Sequence, residues 1–365
     1  MKKNSWIQNL IKWADKNKLP VYSYNNTYKH WCGFPRDEQT ILSMEELILS
    51  PSASLKGQLF GADKLPSEIG YLKKLKKINI SALGLKELCD EICNLENLVF
   101  LDISENQIIK LPDKIGKLKK LQELNCNTNR LNYLPDNFGE LKNLLSLKLD
   151  GNPLVELPSS IGNLSILKNL CCDSNLPEND FFENDIYLGL NITTNINFKI
   201  EKLKKLPESF CKLINLDTVS LRGHRIDELS TNIKNLKKIK SLCLAGNKIV
   251  SLPQGIGELK DLEDLDLSNN KIESIPDQIC NLLKLSTLDL SINKLRELPF
   301  CIGDLKNLTF LSVMDNDLDT LPSSIDNFRC LEELYLGGNK IDQDNCKFDK
   351  LAMINTYIDF DTSMS

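Results

Sequence analysis

A repeat of 23 residues runs through most of this 365-residue sequence. The stretches LENLVFLDISENQIIKLPDKIGK and LKNLLSLKLDGNPLVELPSSIGN, which begin at Leu95 and Leu141, share the template LxxLxxLxLxxNxLxxLPxxIGx. Such self-similarity predicts a stacked array of about twelve short units, not the two domains that length alone suggests. The copies begin at Ile41, Leu72, Leu95, Leu118, Leu141, Leu164, Leu213, Leu236, Leu259, Leu282, Leu305 and Phe328.

The template resembles leucine-rich repeats of the 23-residue LPxxIGxL class, over about residues 41–350. The resemblance implies an α/β repeat fold, a right-handed leucine-rich repeat solenoid. Its curved parallel β-sheet would line the concave face, with turns or short helices on the convex face. The residues agree, because Leu98, Leu101 and Ile103 alternate with polar-face positions as a short strand requires. One such strand cannot bury its apolar face alone, whereas stacked neighbours can.

An asparagine recurs where each predicted strand ends. A buried amide must find hydrogen-bond partners, so this position predicts a structural ladder that joins the turns of neighbouring repeats. In two units Leu83 and His224 stand at this position instead. The ladder asparagines are Asn106, Asn129, Asn152, Asn175, Asn247, Asn270, Asn293, Asn316 and Asn339.

Three parts of the chain depart from the period. Residues 1–40 contain SWIQNLIKWADKNK, whose apolar spacing predicts a helical N-terminal cap over the first strand. Residues 351–365 are predicted to form a C-terminal cap and tail. Insertions lie near 50–63 and 176–201, and the second carries Phe181 and Phe182. It is either a self-packed surface loop or a lobe that contacts a partner.

Twelve cysteines are scattered along the chain, and its start has no apolar run of signal-peptide length. This pattern predicts reduced thiols and a cytoplasmic location, in a bacterium or, for a translocated protein, in the host cytosol. Cys280 takes the glycine position of an IGx triplet, where a small buried hydrophobic residue is expected. Cys89 and Cys93 lack the second ligand pair of a zinc site.

The composition argues against several classes of function. A net charge of −5 and a pI of about 5.4 disfavour nucleic-acid binding, which needs a basic footprint. No apolar run approaches a membrane span. With two histidines and no nucleophile, phosphate-loop or zinc-protease motif, we expect no catalysis, cofactor or metal. The alternative from another class is an enzyme with a cryptic site in residues 1–40.

Among the charged residues at and just after the outward strand positions of the predicted concave face, eleven are acidic and three are basic. Asp264, Asp266 and Asp289 come from two adjacent strands, and like charges side by side suggest a cationic partner. A merely tolerated, solvated patch is the alternative reading. Aromatic residues in the same register are candidate anchors for a partner. The full set of candidate contacts is Asp264, Asp266, Asp289, Phe310, Met314, Tyr335, Glu333, Phe100, Asp102, Phe181 and Phe182.

The segments WADKNKLP and FPRDEQTILSMEELIL resemble the leader of some bacterial leucine-rich repeat proteins. The LPxxIGxL repeats themselves are similar to those of Ras-pathway repeat scaffolds. We therefore expect a non-catalytic, monomeric scaffold or adaptor whose acidic concave face binds another protein with a basic patch, with an effector role on a host protein as the first interpretation. The alternative within binding proteins is a eukaryotic-type signalling scaffold for a small GTPase or a phosphatase.

Overall fold

The computed structural model describes residues 5–25, 30–49, 63–174, 202–342 and 356–360. The chain divides into two compact units, residues 1–167 with 176–201, and residues 168–175 with 202–365. Both units are built from stacked repeats whose strands pair in parallel, and this confirms the predicted repeat solenoid. The insertion at 176–201, with Phe181 and Phe182, lies outside the described residues. Residues 50–62 of the first insertion also lie outside them.

Each repeat contributes one strand of three residues, in which the middle side chain is buried and the outer two lie on the opposite face of the sheet. Most of these outer side chains are at least partly exposed, and Ile48 and Ser312 are buried. Leu101 and Leu265 are middle residues and are fully buried. We call the face that carries the outer residues the open face; it is the face predicted as concave. The first unit contains β3 (Glu46–Ile48), β4 (Lys77–Asn79), β5 (Phe100–Asp102), β6 (Glu123–Asn125) and β7 (Ser146–Lys148).

The second unit continues the same pattern, with every strand parallel to the next in the chain. Its strands are β8 (Asn169–Cys171), β9 (Thr218–Ser220), β10 (Ser241–Cys243), β11 (Asp264–Asp266), β12 (Thr287–Asp289), β13 (Phe310–Ser312), β14 (Glu333–Tyr335) and β15 (Tyr357–Asp359). The last of these lies beyond the repeats, in the region predicted as a C-terminal cap.

Short 3₁₀ helices form the back of each repeat. Most of them follow a proline, because proline presets an extended backbone that cannot continue the preceding pairing, as at Pro253 with φ −69° and ψ 146°. Cys89 and Ser230 take the place of this proline in two repeats, with the same extended backbone. The segments are Ser67–Tyr71, Asp90–Asn94, Ile115–Lys117, Asp136–Glu140, Ser159–Asn163, Glu208–Lys212, Thr231–Asn235, Gln254–Glu258, Asp277–Asn281, Ile302–Asp304 and Ser323–Asn327.

Glycine is needed in these segments where successive repeats touch. A Cβ atom added to Gly139 would lie 2.1 Å from the carbonyl oxygen of Ser160 in the next repeat. The backbones can therefore approach this closely only without a side chain.

The N-terminal region covers the first repeats with two different elements. Helix α1 (Ser5–Lys16) lies on the back, where Trp6 stacks on Tyr71 at 5.3 Å between ring centroids and Trp13 Nε1 donates to the Lys64 carbonyl. The edge of β3 is covered by the chain after an antiparallel hairpin, where the Gly33 N–H donates to Ile48 O at 2.8 Å. The hairpin strands are β1 (Ser23–Asn25) and β2 (His30–Cys32), and helix α2 (Glu38–Ser43) leads into β3.

The expectation of reduced thiols is wrong for one pair of cysteines. Cys280 and Cys301 form a disulfide bond, with their Cα atoms 6.0 Å apart. Their sequence separation of 21 residues is close to one repeat, so stacking brings them side by side on the back of the second unit. Cys280 is buried as predicted, but its partner could be recognised only once the stacking was known.

Candidate functional site

The asparagine at each strand end bonds two neighbouring repeats together. The Asn247 side chain accepts a hydrogen bond from Ile226 N at 3.1 Å and donates to the carbonyls of Leu221 and Leu244 at 2.8 and 2.9 Å. The amide is buried and bonds to backbone groups that the tight turn leaves unpaired, so its role is structural. Equivalent bonds are made by Asn106, Asn129, Asn152, Asn270, Asn293, Asn316 and Asn339. Asn175 lies outside the described residues.

His224 takes the same position in one repeat of the second unit. It is 2% exposed, and its Nε2 atom lies 2.5 Å from the Cys172 carbonyl oxygen. Burial lowers the pKa of His224 to about 4, although the bond to Cys172 opposes that shift. The imidazole is therefore neutral near pH 7 and acts as a substitute for the amide.

The carboxylates of Asp266 and Asp289 lie directly opposite each other on β11 and β12. Each also caps the turn that follows its own strand. Asp266 accepts from the Ser268 hydroxyl at 2.7 Å, and Asp289 accepts from the Ser291 hydroxyl at 2.6 Å. Asp264 is exposed at the start of β11, opposite Thr287. The structure thus brings the predicted trio together, and two of its members also cap turns of the fold.

A positive charge from the chain itself already meets this acidic group. The Arg222 guanidinium donates to Asp266 Oδ2 at 2.7 Å, and the Cys243 thiol donates to the same oxygen at 3.3 Å. Burial raises the pKa of Asp289, and the neighbouring charge of Asp266 acts in the same direction. Burial also raises the pKa of Cys243, so this thiol is not an activated nucleophile.

Aromatic side chains gather at the end of the second unit. Phe310 and Tyr335 have ring centroids 5.5 Å apart, and Tyr335 and Tyr357 are 6.0 Å apart. The Tyr335 hydroxyl donates to Glu333 Oε2 at 2.8 Å, and this bond raises the pKa of Tyr335. We call Phe310, Tyr335 and Tyr357 with Glu333 the aromatic end.

In the first unit, Phe100 and Asp102 lie on the open face of β5. The Lys77 ammonium lies over the Phe100 ring, 5.3 Å from its centroid. Asp102 accepts from the Ser104 backbone N–H and hydroxyl, as Asp266 does with Ser268. The D-x-S spacing in these strands is the sequence signal for this turn cap.

The prediction that Met314 is an exposed anchor is wrong. Met314 is 4% exposed, and Ser104 and Ala245 at the same step of other repeats are also buried. Burial at this step depends on the side chain, because the long Arg222 at the same step is exposed. Tyr357, in contrast, was not predicted and is 58% exposed. Alignment of the repeats does not assign Tyr357 to a strand position, because it follows the aperiodic sequence after residue 342.

The described residues contain neither a cluster of metal-ligating side chains nor a membrane-spanning helix. Within 5–25, 30–49, 63–174, 202–342 and 356–360, no group of three or more His, Cys, Asp or Glu side chains could hold a metal ion. Among the same residues, none of the helices has the length and apolar character to cross a membrane.

Known proteins match this arrangement. A family model described as a leucine-rich repeat region matches residues 54–130 and 264–354, and a model of two leucine-rich repeat copies matches residues 237–281. A search of curated proteins found no match.

Several solved structures are similar. An internalin from Listeria monocytogenes is 18% identical, with a TM-score of 0.66, and the match covers 97% of this chain and 93% of that one. A leucine-rich repeat protein of Leptospira interrogans is 31% identical over 81% of this chain and 86% of that one, with a TM-score of 0.41.

The Arabidopsis receptor kinase HAESA, solved in complex with the peptide hormone IDA and the co-receptor SERK1, is 26% identical with a TM-score of 0.58. That match covers 76% of this chain and 48% of the receptor chain, so this chain spans about half of the receptor's length. The repeats, the strand pairing and the matched family models agree, and the chain belongs to the leucine-rich repeat family.

Proposed function

We propose that this chain is a non-catalytic scaffold or adaptor that binds another protein through the open face of its second unit. The observation that carries the proposal is the charge of that face. On strands β11, β12 and β14, the outer positions carry Asp264, Asp266, Asp289 and Glu333, and the same positions of these strands carry no lysine or arginine. Leucine-rich repeat proteins serve in general as protein-interaction scaffolds, and the HAESA complex is an instance with a bound peptide and a protein.

The partner we propose is a protein with a basic patch. A rigid acidic surface steers a basic partner towards it, and the interaction weakens with salt. Because Arg222 neutralises part of the charge at Asp266, the carboxylates of Asp264 and Asp289 carry more of the attraction. Glu333, Tyr335, Phe310, Phe100 and Asp102 remain proposed contacts.

The effector role on a host protein and the eukaryotic-type signalling role differ only in the partner. We propose the effector role first, in the cytosol of a bacterium or of its host, and a small GTPase or phosphatase as the alternative partner. The Cys280–Cys301 disulfide weighs against a reducing cytosol, since such bonds persist in oxidising compartments. Alkylation of free thiols in freshly lysed cells would report which state the protein has.

The test replaces Asp264, Asp266 and Asp289 together with Asn. This change should leave the fold intact, because the chain itself uses asparagine at the equivalent position: Asn79 Oδ1 accepts from the Ser81 hydroxyl at 2.8 Å. The matched control is Asp90→Asn, Asp136→Asn and Asp277→Asn, the same charge change on exposed residues that begin 3₁₀ helices on the back.

Affinity capture from eukaryotic and bacterial lysates, followed by titration of the captured protein, is the measurement. We expect the open-face variant to weaken binding about tenfold at low salt and the control to change it less than about twofold. Equal affinity and equal salt dependence for both variants would show that the acidic face is not the interface.

A further inference from the structure

The open face of the second unit ends in rings that flank a carboxylate. In the strand register, Glu333 on β14 lies between Phe310 on β13 and Tyr357 on β15. Strands in a sheet lie about 4.8 Å apart, so the two flanking residues are separated by roughly 10 Å. Tyr335 lies two residues further along β14, and its hydroxyl donates to the Glu333 carboxylate at 2.8 Å. The Tyr335 ring lies between the two flanking rings, 5.5 Å from Phe310 and 6.0 Å from Tyr357 between centroids. A cationic side chain that docks on these three rings would lie close to this carboxylate.

The first unit has the same row with its own cation. There the register runs Lys77, Phe100 and Glu123 on β4, β5 and β6. Phe100 lies beside Glu123, and the Lys77 ammonium is stacked over the ring at 5.3 Å from its centroid. In this row the aromatic face, the acid and the cation all come from the chain.

The second unit repeats the aromatic and acidic residues without the cation. Its register runs Thr287, Phe310 and Glu333 on β12, β13 and β14, so a threonine takes the place that Lys77 has in the first unit. Among the described residues, no lysine or arginine lies over the rings of the aromatic end. The outer positions of β12 to β15 carry Asp289, Glu333 and Asp359 and no basic residue.

We propose that the aromatic end binds the cationic side chain of a lysine or arginine in a basic segment of the partner protein. This inference rests on the proposed function and assigns its partner chemistry. Aromatic faces attract an ammonium or guanidinium group within about 6 Å of the ring centroid. Glu333 adds a charge-assisted hydrogen bond. An acidic, neutral or purely apolar segment would gain neither contact.

The probe is a fluorescein-labelled Gly/Ser peptide with spaced arginines, titrated with the full chain by fluorescence anisotropy. A peptide of the same length with citrulline in place of each arginine removes the charge and keeps the shape. We expect the arginine peptide to bind at least about tenfold more tightly than the citrulline peptide. Equal binding of the two would overturn the proposal.

Four substitutions locate the site. Phe310→Leu and Tyr357→Leu remove a ring and should each weaken binding of the arginine peptide about fivefold. Thr287→Lys restores the Lys77 arrangement and should weaken binding at least as much, because the cation is then supplied by the chain. Phe300→Leu is the matched control, since this exposed ring precedes the 3₁₀ helix Ile302–Asp304 on the back of the second unit, and it should change affinity less than about twofold.

Urea midpoints for each variant check that it is folded, and Tyr357→Phe, which keeps the ring, should restore affinity. Unchanged affinity in Phe310→Leu, Tyr357→Leu and Thr287→Lys would overturn the aromatic site. If lysate capture nevertheless depends on Asp264, Asp266 and Asp289, the acidic face remains the proposed interface and only the aromatic site is wrong. If lysate capture does not depend on those aspartates but the arginine peptide still binds the aromatic end, the proposed interface is wrong and the cation site remains.

Discussion

Each repeat has a buried edge, which is the asparagine position at the end of its strand, and an open face. The residues of the buried edge are nearly constant from repeat to repeat, whereas those of the open face vary. At the buried edge, eight described asparagines make nearly the same bonds, as Asn129 and Asn293 do with 2.9 and 3.0 Å to a carbonyl of the preceding repeat. On the open face, equivalent positions change from Lys77 to Phe100 to Glu123. The edge therefore maintains the stacking, whereas the face is free to carry recognition.

The largest test of this contrast is Asn247→Ala. The change leaves the buried Ile226 N–H and the Leu221 and Leu244 carbonyls without their side-chain partner. We expect a loss of about 3 kcal/mol in the free energy of unfolding, measured by urea denaturation. Ser241→Ala, on the open face of the same repeat, should cost less than about 0.5 kcal/mol. Equal losses in the two variants would remove the distinction between edge and face.

His224 sharpens the contrast because it is the described exception at the buried edge that can take up a proton. Its pKa falls from 6.5 to about 4 in the fold, so the folded state resists protonation. The stability that depends on neutral His224 is complete above pH 6.5 and is lost as the pH falls towards 4.

His224→Asn should abolish this dependence, since asparagine is the residue of the other repeats. Between about pH 7 and about pH 5, the parent should lose about 2 kcal/mol more unfolding free energy than the variant. Urea denaturation at both pH values measures the unfolding free energy of each protein. The two proteins share the same carboxylates, so the contribution of those carboxylates cancels when the two are compared. Parallel pH profiles for the two proteins would contradict a buried, neutral histidine.

The smallest effect is expected at the rim of the open face. Ile292 is 50% exposed and has φ +54°, a left-handed conformation that a β-branched residue rarely adopts. Gly246 has φ +65° at the equivalent turn position. Ile292→Gly should therefore stabilise the fold by about 1 kcal/mol, seen as a higher urea midpoint.

The matched reverse change is Gly246→Ala. An added Cβ would lie 3.4 Å from the nearest atom of Gly223, so there is room for it and only the backbone angle opposes it. We expect a loss of about 1 kcal/mol. A loss rather than a gain for Ile292→Gly would mean that the isoleucine packs in a way that outweighs the strain.

Residues inside the period could be placed from sequence. Leu265 is buried and Asp264 is exposed as the template predicts, and Asp266 and Asp289 lie side by side. The contacts of long side chains could not be predicted from the repeat period. Arg222 reaches Asp266 from a position two residues after β9, because its flexible stem extends across β10.

Residues outside the period were also beyond prediction. Tyr357 joins the aromatic end through β15, which follows a stretch without a repeat. The Cys280–Cys301 bond links two positions that differ in their place within the template, so alignment of repeats does not pair them.

The amino-acid sequence alone determined which residues stack, because in a repeat array the neighbour in space is the residue one period away. That rule placed the core leucines and grouped the acidic strand positions. The folded chain alone settled which of those charges are paired, which thiols are joined and which aromatic rings remain open to a ligand. These depend on side-chain reach across strands and on the aperiodic ends, where no repeat specifies the neighbour.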